Sequence, residues 1–164
     1  YMNTGNQRSS ATPLGAVTKT TPTGKREPVK NIDFMLLHTP LAYQATATVG
    51  NIRDFQRKLA KAAAKDGPSF LHVLAPCPSG WKFPTDQTIQ MAKLAVKCGI
   101  WPLFERENGR ITLQQSAVDF SLIPQYLHRQ KRFSRVDAPL QERIIREAKA
   151  RHETLLRLAE LDCL

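Results

Sequence analysis

The sequence predicts an α/β fold, an open layered sheet with helices on both faces. Two observations carry this: apolar runs of strand length alternate with amphipathic stretches of helix length, and Gly or Pro closes most of them. A chain of 164 residues is long enough to bury a real core, about 70% of its unfolded surface.

Residues 1–30 are rich in Thr, Ser, Pro and Gly, show no helical or strand period, and read as a long loop. Loops of that length are either functional or flexible tails. Ile32, Met35 and Leu36 at helical spacing predict a short helix over 31–38, ended by Pro40, and a strand follows at Tyr43–Thr48. Asn51 stands where a helix N-cap belongs, and Asp54 suits the positive end of the dipole. Ile52, Phe55, Leu59 and Ala62 line one face until Gly67-Pro68 stops the helix.

The nearly unbroken apolar run SFLHVLAP at 69–76 predicts a central strand of a parallel sheet, covered on both faces. After a loop over 77–84, Thr85 or Asp86 can cap a helix through Ile89, Met91, Leu94 and Val96, with Gly99 past its end. Residues 101–105 read as a further strand, joined through Asn108-Gly109 to 111–113 as a hairpin at a sheet edge. A short helix is expected over 123–130. A long one over about 139–160 carries Leu140, Ile144, Ala148, Leu155 and Ala159 on one side and packs on the domain or on a neighbour.

Twenty-four Lys and Arg against fourteen Asp and Glu leave a formal charge of +10, so an acidic partner or ligand is expected. The basic stretch HRQKRFSR at 128–135 holds one aromatic, Phe133, which is poor in the base-stacking residues of a nucleic-acid surface. No apolar run approaches the ~20 residues of a membrane span, and residues 1–10 are polar, so a soluble cytoplasmic protein is expected. The chain opens on Tyr1 rather than Met, which raises the expectation of further sequence upstream.

Ligands in open α/β sheets collect outside the carboxyl ends of strands. The loop Pro76-Cys77-Pro78-Ser79-Gly80-Trp81 leaves the best strand at that edge, with two prolines stiffening the backbone around Cys77. Cys77 is thus either a placed thiol or a buried inert one. Cys98 and Cys163 read as packing or incidental residues, the four histidines form no metal pair, and His72 reads as a core or partner-facing strand residue. No Walker A, GxGxxG, GxSxG or HExxH pattern occurs. The residues alone therefore leave a non-catalytic basic α/β binding module open.

The opening stretch YMNTGNQRSSATPLGAVTKTTPTGK resembles the loop after the thiamine diphosphate motif in pyruvate:ferredoxin oxidoreductase β subunits. YQATATV at 43–49, GPSFLHVLAPCPSGW at 67–81, TIQMAKLAV at 88–96, WPLFE at 101–105 and YLHRQKRF at 126–133 extend the resemblance through most of the chain.

The resemblance implies a thiamine-diphosphate-binding fold without its N-terminal portion over 1–113, and a helical C-terminal extension over 114–164. It implies oxidative decarboxylation of pyruvate to acetyl-CoA, with electrons passing through 4Fe-4S clusters to ferredoxin. A branched-chain 2-oxoacid or oxalate is the alternative substrate. Coenzyme A, the other enzyme subunits and ferredoxin are the implied partners, and thiamine diphosphate, Mg2+ and a 4Fe-4S cluster the implied cofactors.

Residue by residue, Asn3 matches the asparagine of the family's YxNTG loop, a polar group beside thiamine and 2-oxoacid, with Thr4 and Gly5 shaping that loop. Cys77 matches the isolated cysteine that gives a fourth ligand to the cluster nearest the thiamine. The family's GDG motif, magnesium ligands and remaining cluster cysteines find no match here, so the polypeptide alone is expected to be inactive. Lys131, Arg132 and Arg135 are the expected contacts for acidic ferredoxin.

Overall fold

The structure is a computed structural model that describes residues 5–114 and 117–161. Ten principal elements alternate much as the sequence predicts: α1 (Ile32–Met35), β1 (Tyr43–Thr48), α2 (Ile52–Ala63), β2 (Ser69–Leu74), α3 (Pro78–Trp81), α4 (Thr88–Lys97), β3 (Phe104–Glu107), β4 (Arg110–Leu113), α5 (Ile123–His128) and α6 (Ala138–Glu160). They build a four-stranded open sheet of order β2-β1-β3-β4, in which β1 and β2 are parallel and β3 and β4 antiparallel to their neighbours.

Local chemistry explains most boundaries. The Asn51 side chain accepts the Asp54 N–H at 3.4 Å and opens α2. The Asp137 carboxylate accepts the Leu140 N–H at 3.0 Å and opens α6, with Pro139 in its first turn. Asn108 and Gly109 both take positive φ, 52° and 76°, which the tight β3–β4 hairpin requires. β3 begins at Phe104 rather than Trp101: the Trp101 N–H donates to the Ala95 carbonyl and its indole to the Ala47 carbonyl, each at 2.9 Å.

One expectation is corrected. The run 69–76 is not a central strand: β2 lies at the sheet edge and is half-exposed, whereas β1 is the interior strand and is buried throughout. An apolar run reports faces that favour burial, but strand order decides which strand has two neighbours. The apolar stripe of α2 does not face the core. Ile52 and Leu59 are 54% and 53% exposed, while Lys58 is fully buried.

The sheet face beneath α2 explains this inversion. It presents the Tyr43 hydroxyl and the Glu105 carboxylate, 2.5 Å apart, so the polar side of the helix turns inward. Arg57 and Lys61 reach Glu105, at 2.5 and 3.0 Å, and the Lys58 ammonium donates to the Thr46 carbonyl at 2.6 Å while pairing with Asp54 at 2.8 Å. Burial pushes the Glu105 carboxyl up, but hydrogen bonds from Arg57, Tyr43 and Lys61 outweigh it and hold it at about 2.

On the opposite face, Phe104 and Ile111 pack with Leu37 and Leu155 of α6. The largest apolar cluster joins Leu14 and Ala16 of the N-terminal loop to Trp81, Met91, Ala95, Ile123, Leu127, Ile144 and Ala148. Residues 5–30 are thus a packed irregular loop and not a flexible tail. Lys25, buried, donates to the carbonyls of Ser10 and Thr12, each at 2.8 Å. Gly24, at φ 83°, lies so close to Gly15 that a Cβ would stand 2.7 Å from its carbonyl oxygen. Among the described residues no helix is long and apolar enough to cross a membrane.

Candidate functional site

β2 ends at Leu74 and the chain passes through buried Pro76 to Cys77, the N-cap of α3. The Cys77 sulfur is unoxidised, half-buried, and accepts the Gly80 N–H at 3.4 Å, while Pro78 supplies the first position of the turn. Among the described residues no group of three or more His, Cys, Asp or Glu could hold a metal ion, so Cys77 offers one ligand only.

Cys98 differs in kind. It is fully buried, its thiol lies 3.6 Å from the Ala95 carbonyl, and burial pushes its pKa up to about 11. Cys163 lies outside the described residues. His72 is no isolated ligand either: Nδ1 sits 3.0 Å from both carboxylate oxygens of Asp33, and the ring meets Trp101 edge-on at 4.7 Å.

Of the N-terminal site residues, Asn3 and Thr4 lie outside the described residues. Gly5 takes φ 93°, and its carbonyl accepts the Lys19 N–H at 3.2 Å; Asn6 likewise receives the Thr20 N–H at 3.1 Å. This stitches the turn at Gly5 to the strand-like pair Thr18 and Thr21.

Gly5 lines a cavity of about 520 Å³ with Lys19, Lys82 and Arg135, and among the described residues no carboxylate contributes to its lining. Lys82 follows α3 with φ 58°, a left-handed conformation disfavoured for a residue with a Cβ. Its carbonyl is held by the Lys131 N–H at 3.2 Å. The short helix after Cys77 thus delivers a strained lysine to the cavity beside Gly5, although Cys77 itself is not in the lining. The sequence reading missed Lys19 and Lys82, since no local pattern marks a lysine that tertiary packing forces into the left-handed region.

The basic stretch 128–135 divides in the same way. Lys131 and Arg135 are exposed, whereas Arg132 is 2% exposed, stacked on Trp81 and hydrogen-bonded to Gln130 at 2.8 Å. Arg132 therefore belongs to the core and not to a docking face.

No family model matches the chain. Curated proteins do. It is 45% identical over 138 residues to pyruvate synthase subunit PorB of Methanosarcina barkeri, covering 81% of this chain and 47% of that protein. It is 43% identical over 169 residues to ketoisovalerate oxidoreductase subunit VorB of Pyrococcus horikoshii, covering 98% of this chain and 54% of that protein. Pyruvate synthase subunit PorB of Pyrococcus furiosus is 49% identical over 116 residues, 68% of this chain and 35% of that protein. The chain spans about half the length of the curated relatives it matches. Identity at this level, running through the packed loop, the sheet and the helices, shows that the chain belongs to the 2-oxoacid:ferredoxin oxidoreductase β-subunit family.

Proposed function

We propose that the chain forms part of an oxidoreductase that decarboxylates pyruvate oxidatively to acetyl-CoA and passes the electrons to ferredoxin. The similarity to pyruvate synthase and ketoisovalerate oxidoreductase subunits is the observation that carries this reading. When bound, thiamine diphosphate with Mg2+ would supply the carbanion centre for 2-oxoacid chemistry, and a 4Fe-4S cluster would carry single electrons.

In this reading the chain's own residues bind and orient. Asn3 places a polar group beside thiamine and 2-oxoacid, and Thr4 and Gly5 shape its loop. Lys19, Lys82 and Arg135, around a cavity with no carboxylate among the described residues of its lining, suit the phosphate groups of thiamine diphosphate or coenzyme A. Cys77, which accepts the Gly80 N–H, gives one thiolate to a cluster. One thiolate cannot hold a cubane, so the cluster's other ligands would come from polypeptide outside the described residues. The chain by itself is then expected to turn over no 2-oxoacid.

The branched-chain reading has its own support, because the ketoisovalerate oxidoreductase relative aligns with 98% of this chain. Turnover of pyruvate against 2-oxoisovalerate by the enzyme assembled with its other subunits decides between them. In the same assembly Cys77→Ala should lower iron content and electron transfer while thiamine diphosphate stays bound. Full iron occupancy in that variant would remove Cys77 from the ligand set.

A further inference from the structure

A cavity of about 630 Å³ opens at the carboxyl end of β1, between the start of α2 and the second half of α4. Three cations line it, Arg53 from α2 and Lys93 and Lys97 from α4. Among the described residues no carboxylate contributes to the lining, and none pairs with any of the three. The loop into α2 closes tightly on α4: a Cβ at Gly50 would stand 2.9 Å from both the Ala92 Cβ and the Lys93 backbone nitrogen.

Two of the local arrangements are unfavourable without a counter-ion. Arg53 sits in the first turn of α2, at the positive end of its dipole. Lys93 and Lys97 stand four residues apart on α4, where like charges repel, and only Lys97 gains from the negative end of that helix. The nearby acids are engaged elsewhere. Asp54 holds Arg57 and Lys58, each at 2.8 Å, and Glu105 holds Arg57 and Lys61 and receives the Gln114 amide. Hydrogen bonds from Ser121, more than the attraction of Lys97, keep the Asp119 carboxyl below its usual range, and Asp119 does not line the cavity.

A phosphate monoester carries close to two negative charges and three strong acceptor oxygens, which matches three converging cations better than a carboxylate does. The volume falls within the ~300–1,000 Å³ usual for small-molecule sites and leaves room for an organic body along Ile52, Val96 and Leu103. We propose that this cavity binds a small phosphate monoester other than the cofactors named above, its phosphoryl oxygens held by Arg53, Lys93 and Lys97. It shares no lining residue with the cavity beside Gly5, and the inference does not rest on the function proposed above.

Heteronuclear NMR titration of the full chain with phenyl phosphate near pH 8, where the ester is a dianion, tests it without turnover. The expected result is saturable shifts at the amides of Gly50, Arg53 and Lys93, with affinity at least about tenfold above that for phenyl sulfate, a monoanion of the same shape. Equimolar thiamine diphosphate or coenzyme A should leave those shifts in place. Replacing Arg53→Gln together with Lys93→Gln, both exposed, should weaken binding by about tenfold or more without lowering Tm. Absence of saturation, shifts confined to Gly5 and Lys19, equal affinity for the sulfate, displacement by either cofactor, or undiminished binding by the folded double variant would each overturn the proposal. Because the sulfate comparison uses the unaltered chain, it decides even where the variant fails to fold.

Discussion

The Arg132 guanidinium lies 3.7 Å from the centroid of the Trp81 ring, and both side chains are buried. The contact joins the loop after Cys77 to the turn after α5, so it braces the candidate cluster-ligand loop from behind. Arg132→Lys loses the planar stack and the Gln130 hydrogen bond but keeps the charge. It should destabilise the fold by about 2–3 kcal/mol. Denaturant unfolding checks this, and a midpoint unchanged from wild type would show that the stack contributes nothing.

Stability should fall in acid through the Glu105 network. The folded Glu105 carboxyl sits near 2, below its ordinary value of 4.5, because the hydrogen bonds from Arg57, Tyr43 and Lys61 outweigh the opposing effect of burial. A depressed carboxyl contributes stability that is fully present above about 4.5 and is lost as the pH falls towards about 2. Glu105→Gln should lower stability at neutral pH and flatten the loss across that window. Thermal unfolding from pH 2 to 7 measures both effects, and parallel curves for the two proteins would refute the assignment.

Lys82 should trade stability for charge. Lys82→Gly relieves the left-handed strain at φ 58° and is expected to raise stability by about 1 kcal/mol. The same change removes a cation from the cavity beside Gly5 and should weaken binding of inorganic pyrophosphate, measured by calorimetry. Unweakened binding would exclude Lys82 from any phosphate contact.

Of the three residues expected to meet acidic ferredoxin, Lys131 and Arg135 are exposed and still available to an acidic partner. Neutralising both in the assembled enzyme should raise the apparent KM for ferredoxin severalfold at low salt, and the difference should vanish as salt rises. An unchanged, salt-insensitive KM would remove this face from ferredoxin docking.

Much of the fold was legible because it depends on short-range signals. Asn51 capping α2, Asn108-Gly109 turning the hairpin, and the bounds of β1 all follow from caps, turns and strand-length apolar runs. The prominence of Cys77 came from its strand-end loop. The sulfur's Gly80 hydrogen bond, the Gly5 cavity and the left-handed Lys82 did not, because they depend on segments far apart in sequence.

By itself the sequence determined the alternation of strands and helices, their order and the family, since identity and local periodicity are properties of the chain alone. Tertiary structure decided what faces what. It put β2 at the edge, turned Lys58 inward and Leu59 outward, and buried Arg132 against Trp81. A helix face or strand edge is chosen by the partner groups opposite it. Here Glu105 and Tyr43 beneath α2 made burying cations more favourable than burying leucine.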